Sequence, residues 1–142
     1  MRTRLSLAIV LCFALLPSAC KREKQDLIPN AYVDIYIYSN DPNFINLNAT
    51  GGWVYITGGV KGIIVYRKSF SEFAAYERNS PYQPSQGCSV TVDASSNVFI
   101  DDKCSGSQFL ITDGSVTKGP ATLPLKPYKT SWDGSSVLHI YN

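Results

Sequence analysis

The sequence predicts an all-β domain, a sandwich or small barrel of short antiparallel strands. Three observations carry this. Stretches such as "AYVDIYIY" alternate apolar and polar residues with a period of two. No helical pattern longer than a turn occurs. The punctuation between apolar runs, "NDPN", "ATGG", "TGGVKG", "DASSN" and "TDGS", is turn chemistry at close intervals.

The 142 residues do not all belong to that domain. Residues 1–19 carry Arg2 and Arg4, an apolar run from Leu5 to Leu16 and then small residues, the order of a secretory signal peptide. The stretch "LPSAC" resembles a bacterial lipobox, in which the cysteine, here Cys20, becomes the lipidated first residue; the departure is Pro17 where a lipobox has leucine. Residues 20–30, opening with "CKREKQD", then read as a solvated linker beside the anchor, and residues 31–142 as the β domain. In the first strand Val33, Ile35 and Ile37 face one way and Tyr32, Asp34, Tyr36 and Tyr38 the other, and a neighbouring loop is expected to half-cover the tyrosines. "SNDPNFINLNATGG" is a loop; "WVYITG" and "GIIVYR" are strands separated by Gly58-Gly59. Further strands are predicted at Phe73–Glu77, Ser89–Asp93, Asn97–Ile100, Gln108–Thr112 and Val137–Tyr141.

Charge excludes one large class of partners. The formal +2 includes Arg2 and Arg4; without the leader, 11 basic residues balance 11 acidic ones. Nucleic-acid binding needs a basic stripe that is absent here. The cysteines sort by place. Cys12 leaves with the leader and Cys20 takes lipid, so Cys88 and Cys104 remain in an oxidising compartment, where they are expected to pair.

The region from Phe73 to Tyr128 resembles the Rieske [2Fe–2S] domain. "CSGSQF", Cys104 to Phe109, is similar to that family's second cluster loop, C-x-C-H-G-S-x-F. "DGSVTKGPATLPLKPY" is similar to the following hairpin and proline loop, with Gly119, Pro120, Ala121 and Pro124 at the loop's motif places. "SPY", Ser80 to Tyr82, stands where the family has its first loop, C-x-H. The resemblance spans residues 53–142. It implies a Rieske-like sandwich of small antiparallel sheets in which two loops, near 79–88 and 101–107, form a tip. It also implies that Cys88 and Cys104 are the family's disulfide between those loops, so that the expected pair becomes a staple across the tip.

A Rieske cluster takes two thiolates on one iron and two imidazoles on the other. Carried over, the ligand places fall on Ser80, Tyr82, Asp102 and Ser105, none of the required type, and the chain has one histidine, His139. No cofactor is therefore expected, a [2Fe–2S] cluster being the alternative. With Asp101, these oxygen donors suit a hard cation such as calcium in kind. They lack the D-x-D-x-D spacing, and a hydrogen-bonded polar patch without metal is expected instead. His139 offers the one base for a serine nucleophile and reads as a buried strand residue. Asp101 and Asp102 are adjacent and point to opposite faces, so they make no acid pair. The family's activity implies electron transfer, in a respiratory complex or feeding an oxygenase. Because the ligands are missing, the sequence instead predicts a non-enzymatic, lipid-anchored protein of the bacterial cell envelope, with the tip as a binding or assembly surface for an envelope partner.

Overall fold

The computed structural model describes residues 26–142, so the leader and the Cys20 lipidation site lie outside the described residues. Ten strands are present: β1 Asp34–Tyr38, β2 Trp53–Ile56, β3 Ile63–Arg67, β4 Phe73–Glu77, β5 Thr91–Val92, β6 Phe99–Asp101, β7 Gln108–Leu110, β8 Val116–Lys118, β9 Pro127–Trp132 and β10 Val137–Tyr141. They form two antiparallel sheets, ordered β1-β10-β9-β4-β3-β2 and β5-β6-β7-β8. Among the described residues no helix is long and apolar enough to cross a membrane.

Two cores follow from which strand faces are covered. Val33, Ile37, Val54, Ile63, Val65, Tyr128, Leu138 and Ile140 fill the inner face of the six-stranded sheet. Ile64, Tyr66 and Tyr76 on the other face of β3 and β4 pack against Val92, Ile100 and Phe109 of the four-stranded sheet. Strand β3 is thus buried on both faces along its length, which is why "IIVY" is a continuous apolar run rather than an alternating one.

Two strands that the sequence reading left out are β8 and β9. β9 lies between β4 and β10. Its signal is weak because only Tyr128 is fully buried, while Lys129 and Ser131 face water, and its proline is the first residue, where no ladder donor is needed. The loop after β1 contains a 3-10 helix, Pro42–Asn48, capped by the Asp41 carboxylate accepting from Asn43 N–H. The tyrosine face of β1 is open and not covered by a loop: Tyr32, Tyr36 and Tyr38 are exposed. His139 departs from its predicted burial as well. It lies on the same outward face, stacked on Tyr36 and Tyr141, with Nε2 2.7 Å from the Asp34 carboxylate.

The register fixes two ends. The ends of β4 at Glu77, of β3 at Ile63 and of β9 at Pro127 lie together at one end. Arg67, Phe73 and Trp132 lie at the other, where buried Arg67 donates to the carbonyls of Leu47, Ser69 and Phe70. At the first end the carboxylate of Glu77 is fully buried. It accepts from Val60 N (2.7 Å), Lys61 N (2.9 Å), Asn79 N (2.8 Å) and the Tyr128 hydroxyl (2.7 Å). Burial, and then this bond, push the Tyr128 phenol above its ordinary value. Gly59 is required beside them: its φ is +61°, and a Cβ there would lie 2.2 Å from Glu77 Oε2.

Removing this carboxylate leaves three N–H groups and a hydroxyl without their acceptor. Glu77→Ala is expected to lower stability by about 3 kcal/mol or more, and Tyr128→Phe by about 1–2 kcal/mol, read from denaturant midpoints at constant slope. A loss under about 1 kcal/mol for Glu77→Ala would show that these donors reach water.

Candidate functional site

The first end carries the tip. One loop leaves β4 and is closed at its base by the Asn79–Ser89 bridge and by Ser80 N–H donating to Cys88 O at 2.8 Å. It turns through Gln83 and Gly87, both with positive φ, around a single 3-10 turn at Pro84–Gln86. The second loop joins β6 to β7. There Asp102 N–H donates to Ser107 O at 2.9 Å, and Gly106 takes φ +80°, a left-handed turn that suits glycine. A Cys88–Cys104 disulfide joins the loops, with Cα atoms 6.3 Å apart.

At their junction sits the Asp102 carboxylate, buried with its residue 1% exposed. Ser80 Oγ donates to Oδ2 at 2.6 Å, Ser105 Oγ donates to the same oxygen at 2.7 Å, and Cys104 N–H donates to Oδ1 at 3.0 Å. Ser105 and Ser107 hydroxyls lie 2.8 Å apart. A hydroxyl has one proton, so with Ser105 donating to Asp102 it is Ser107 that donates to Ser105. Ser107 in turn accepts from Ala121 N–H at 2.9 Å. One hydrogen-bonded chain therefore runs from the Gly119–Pro124 loop through both cross-linked loops to Tyr82 N–H, which donates to Ser80 Oγ at 3.1 Å.

Ser80, Asp102 and Ser105 are thus brought into direct contact. Tyr82 joins only through its backbone, because its ring leans on the second core. Asp101 turns away and accepts from Gln108 Nε2 at 3.1 Å, as expected for neighbours on a strand. Burial pushes the Asp102 carboxyl up, but the bonds from Ser105, Ser80 and the N–H groups of Cys104 and Ser105 outweigh it and hold the group below its ordinary 3.8. Cys88 Sγ, Cys104 Sγ and an Asp102 oxygen lie within 4.8 Å of one another. While the sulfurs are bonded together neither is a thiolate, and the carboxylate is already occupied by its hydrogen-bond donors.

Two contributors to the tip have no clear signal in the sequence. Ser107, 1% exposed, is the link to the proline loop; its place in G-S-x-F marked a turn rather than a bond. The segment 26–30 lies against the tip, with the Asp26 carboxylate accepting from Ser85 N–H (3.1 Å) and Oγ (2.7 Å) and Lys126 Nζ donating to Pro29 O (3.0 Å). No periodicity marks such a contact.

Cys104→Ser is expected to cost about 2–5 kcal/mol, and thiol titration of the alkylation-protected, denatured protein should find Cys88 and Cys104 unreactive. Because the folded-state pKa of Asp102 is depressed, its contribution is complete above the ordinary value and is lost as pH falls below it. Asp34, Asp93, Asp113 and Asp133 are depressed too, so the measurement is a difference. Asp102→Asn should destabilise at neutral pH and show a shallower decline below about pH 4 than the parent. Parallel acid-unfolding curves would refute the role given to this carboxylate.

No protein-family model matches the sequence, and no curated protein matches it. Solved structures do. The chain is similar to the cyanobacterial plasma membrane Rieske protein PetC3 from Synechocystis PCC 6803, at 23% identity and a TM-score of 0.55, over 74% of this chain and 97% of that one. It is also similar to the ferredoxin of carbazole 1,9a-dioxygenase from Nocardioides aromaticivorans IC177, at 15% identity and a TM-score of 0.50, over 78% and 99%. Likeness at these identities speaks for the arrangement of the chain and not for its chemistry. With its two sheets, stapled loops and proline loop, the domain has a Rieske-like fold.

Proposed function

We propose that the protein is a cluster-free Rieske-like module, exported and lipid-anchored at Cys20, which works without catalysis as a binding or assembly domain of the bacterial cell envelope through its stapled tip. One observation carries the reading: the donor set at the tip. A Rieske centre takes two thiolates and two imidazoles. The residues at the corresponding places are Ser80, Asp102, Ser105 and Tyr82, and Ser80 and Asp102 are bonded directly to each other at 2.6 Å. The tip's two cysteines are joined, and His139 is stacked between two tyrosines on the outer face of the six-stranded sheet. These residues do not fit the cluster. Three loops are instead held by a carboxylate, hydroxyls and a disulfide, an arrangement that presents a fixed surface.

The purified protein should be colourless, with no iron or acid-labile sulfide. Stoichiometric iron with a visible absorption spectrum of the Rieske type would replace this reading by electron transfer, the activity that the names of the similar structures suggest. For the anchor, Cys20→Ser should move the protein from the membrane to the soluble fraction, since acyl chains supply the attachment; an unchanged distribution would remove the lipoprotein part of the reading.

A further inference from the structure

The chain enters the domain at the tip. Asp26 is bonded to Ser85 of the first loop, and the backbone of Pro29 and the side chain of Asn30 are held by Lys126 Nζ at 3.0 and 2.8 Å. Together with Leu27, Ile28, Pro81, Pro84, Leu123 and Pro124 this segment frames an open, mainly apolar cavity of about 210 Å³. Leu27 is 59% exposed. Three lysines belong to the tip: Lys126 lines the cavity, Lys103 is exposed on the second loop, and Lys61 lies against Gly87 of the first. Of the tip's acids, Asp102 is buried under its donors and Asp101 accepts from Gln108, while the exposed Asp26 carboxylate stands at the cavity rim with Ser85 as its donor.

Chain length sets the orientation. From Cys20 to Asp26 there are six Cα steps, which span at most about 20 Å when fully extended. A domain of this size is about 34 Å across. A tether that short, fixed at the tip, cannot bring the opposite end, with Ile45 and Trp132, to the bilayer while the tip points away.

We propose that the tip is a membrane-contact surface, resting on the anionic phospholipids of the leaflet that holds the anchor. Leu27, Leu123, Pro81 and Pro124 meet the boundary between head groups and acyl chains, and Lys61, Lys103 and Lys126 meet lipid phosphates. Apolar side chains with lysines on the neighbouring loops are the composition that such an interface selects. This rests on the lipidation of Cys20 proposed above and names phospholipid as what the tip binds.

The test uses the full, lipidated chain in phosphatidylcholine vesicles with and without phosphatidylglycerol. An environment-sensitive fluorophore is placed on Leu123→Cys at the tip or on Ile45→Cys at the far end, and vesicle flotation is scored first. The expected result is that the protein floats, that anionic vesicles shield the label at 123 from aqueous iodide several-fold while that at 45 stays as accessible as in solution, and that Lys103→Glu with Lys126→Glu, or high salt, removes the shielding without preventing flotation. Flotation with equal accessibility at both positions, or with the label at 45 shielded instead, overturns the proposal and leaves the lipoprotein reading standing. Failure to float, with an unmodified Cys20 by mass spectrometry, removes the lipoprotein reading and this inference with it.

Discussion

The buried carboxylate of Glu77 is the constraint on which the rest of the arrangement hangs. It gathers the β2–β3 turn, the exit of β4 and the middle of the six-stranded sheet, through donors on Val60, Lys61, Asn79 and Tyr128. No cation pairs with it among the described residues, so its desolvation is offset by hydrogen bonds alone, and all four donors must stay in place for burial to be tolerable. Asn79 lies two residues after Glu77 and Ser80 three, and Ser80 is bonded to the second buried carboxylate, Asp102. Two desolvated acids in series thus fix where the first loop leaves the sheet and where it meets the second. Placement of the tip relative to the cores follows from these short links more than from the sheets themselves.

Below those links the tip depends on three kinds of restraint acting at different ranges. The disulfide ties residues 16 apart and limits how far the loops can separate even when the chain is loosened. The Asp102 network works only when side chains are already within hydrogen-bond distance, and it fixes orientation. The proline loop closes the far side by donating Ala121 N–H to Ser107. A surface so restrained loses little conformational freedom on contact with a partner, which favours binding by a rigid face over binding by a loop that must first be ordered.

How much of this was legible in the sequence depends on whether a residue's signal was local. The alternation around Ile35 and the double-faced run in β3 report their burial directly. The pairing of Cys88 with Cys104 followed from counting cysteines, and the nearness of Ser80, Asp102 and Ser105 from the family resemblance, although nothing in the spacing showed that they bond to one another. β9 escaped because half of its residues are hydrophilic and exposed, so a strand central to its sheet looked like a loop. Glu77 shares a face with Phe73 and Ala75 by strand parity, so its burial was open to inference, but its partners come from distant turns. His139 shows the reverse error: an apolar neighbourhood in sequence, "VLHIYN", says nothing about which face a residue takes, and parity with Val137 and Tyr141 turns it outward.

Both tryptophans lie at the end of the domain remote from the tip. Trp53 begins β2 and donates through Nε1 to Asn97, while Trp132 ends β9 with its ring over the Arg67 guanidinium and against Phe73. Intrinsic fluorescence therefore reads one half of this molecule. Reduction of the disulfide, protonation of Asp102 or contact at the tip alters groups that neither indole touches, and the emission spectrum is expected to stay constant through each of them until unfolding reaches the Arg67 end. For this chain a steady tryptophan signal is a statement about the sheet's far edge and is silent about the stapled loops.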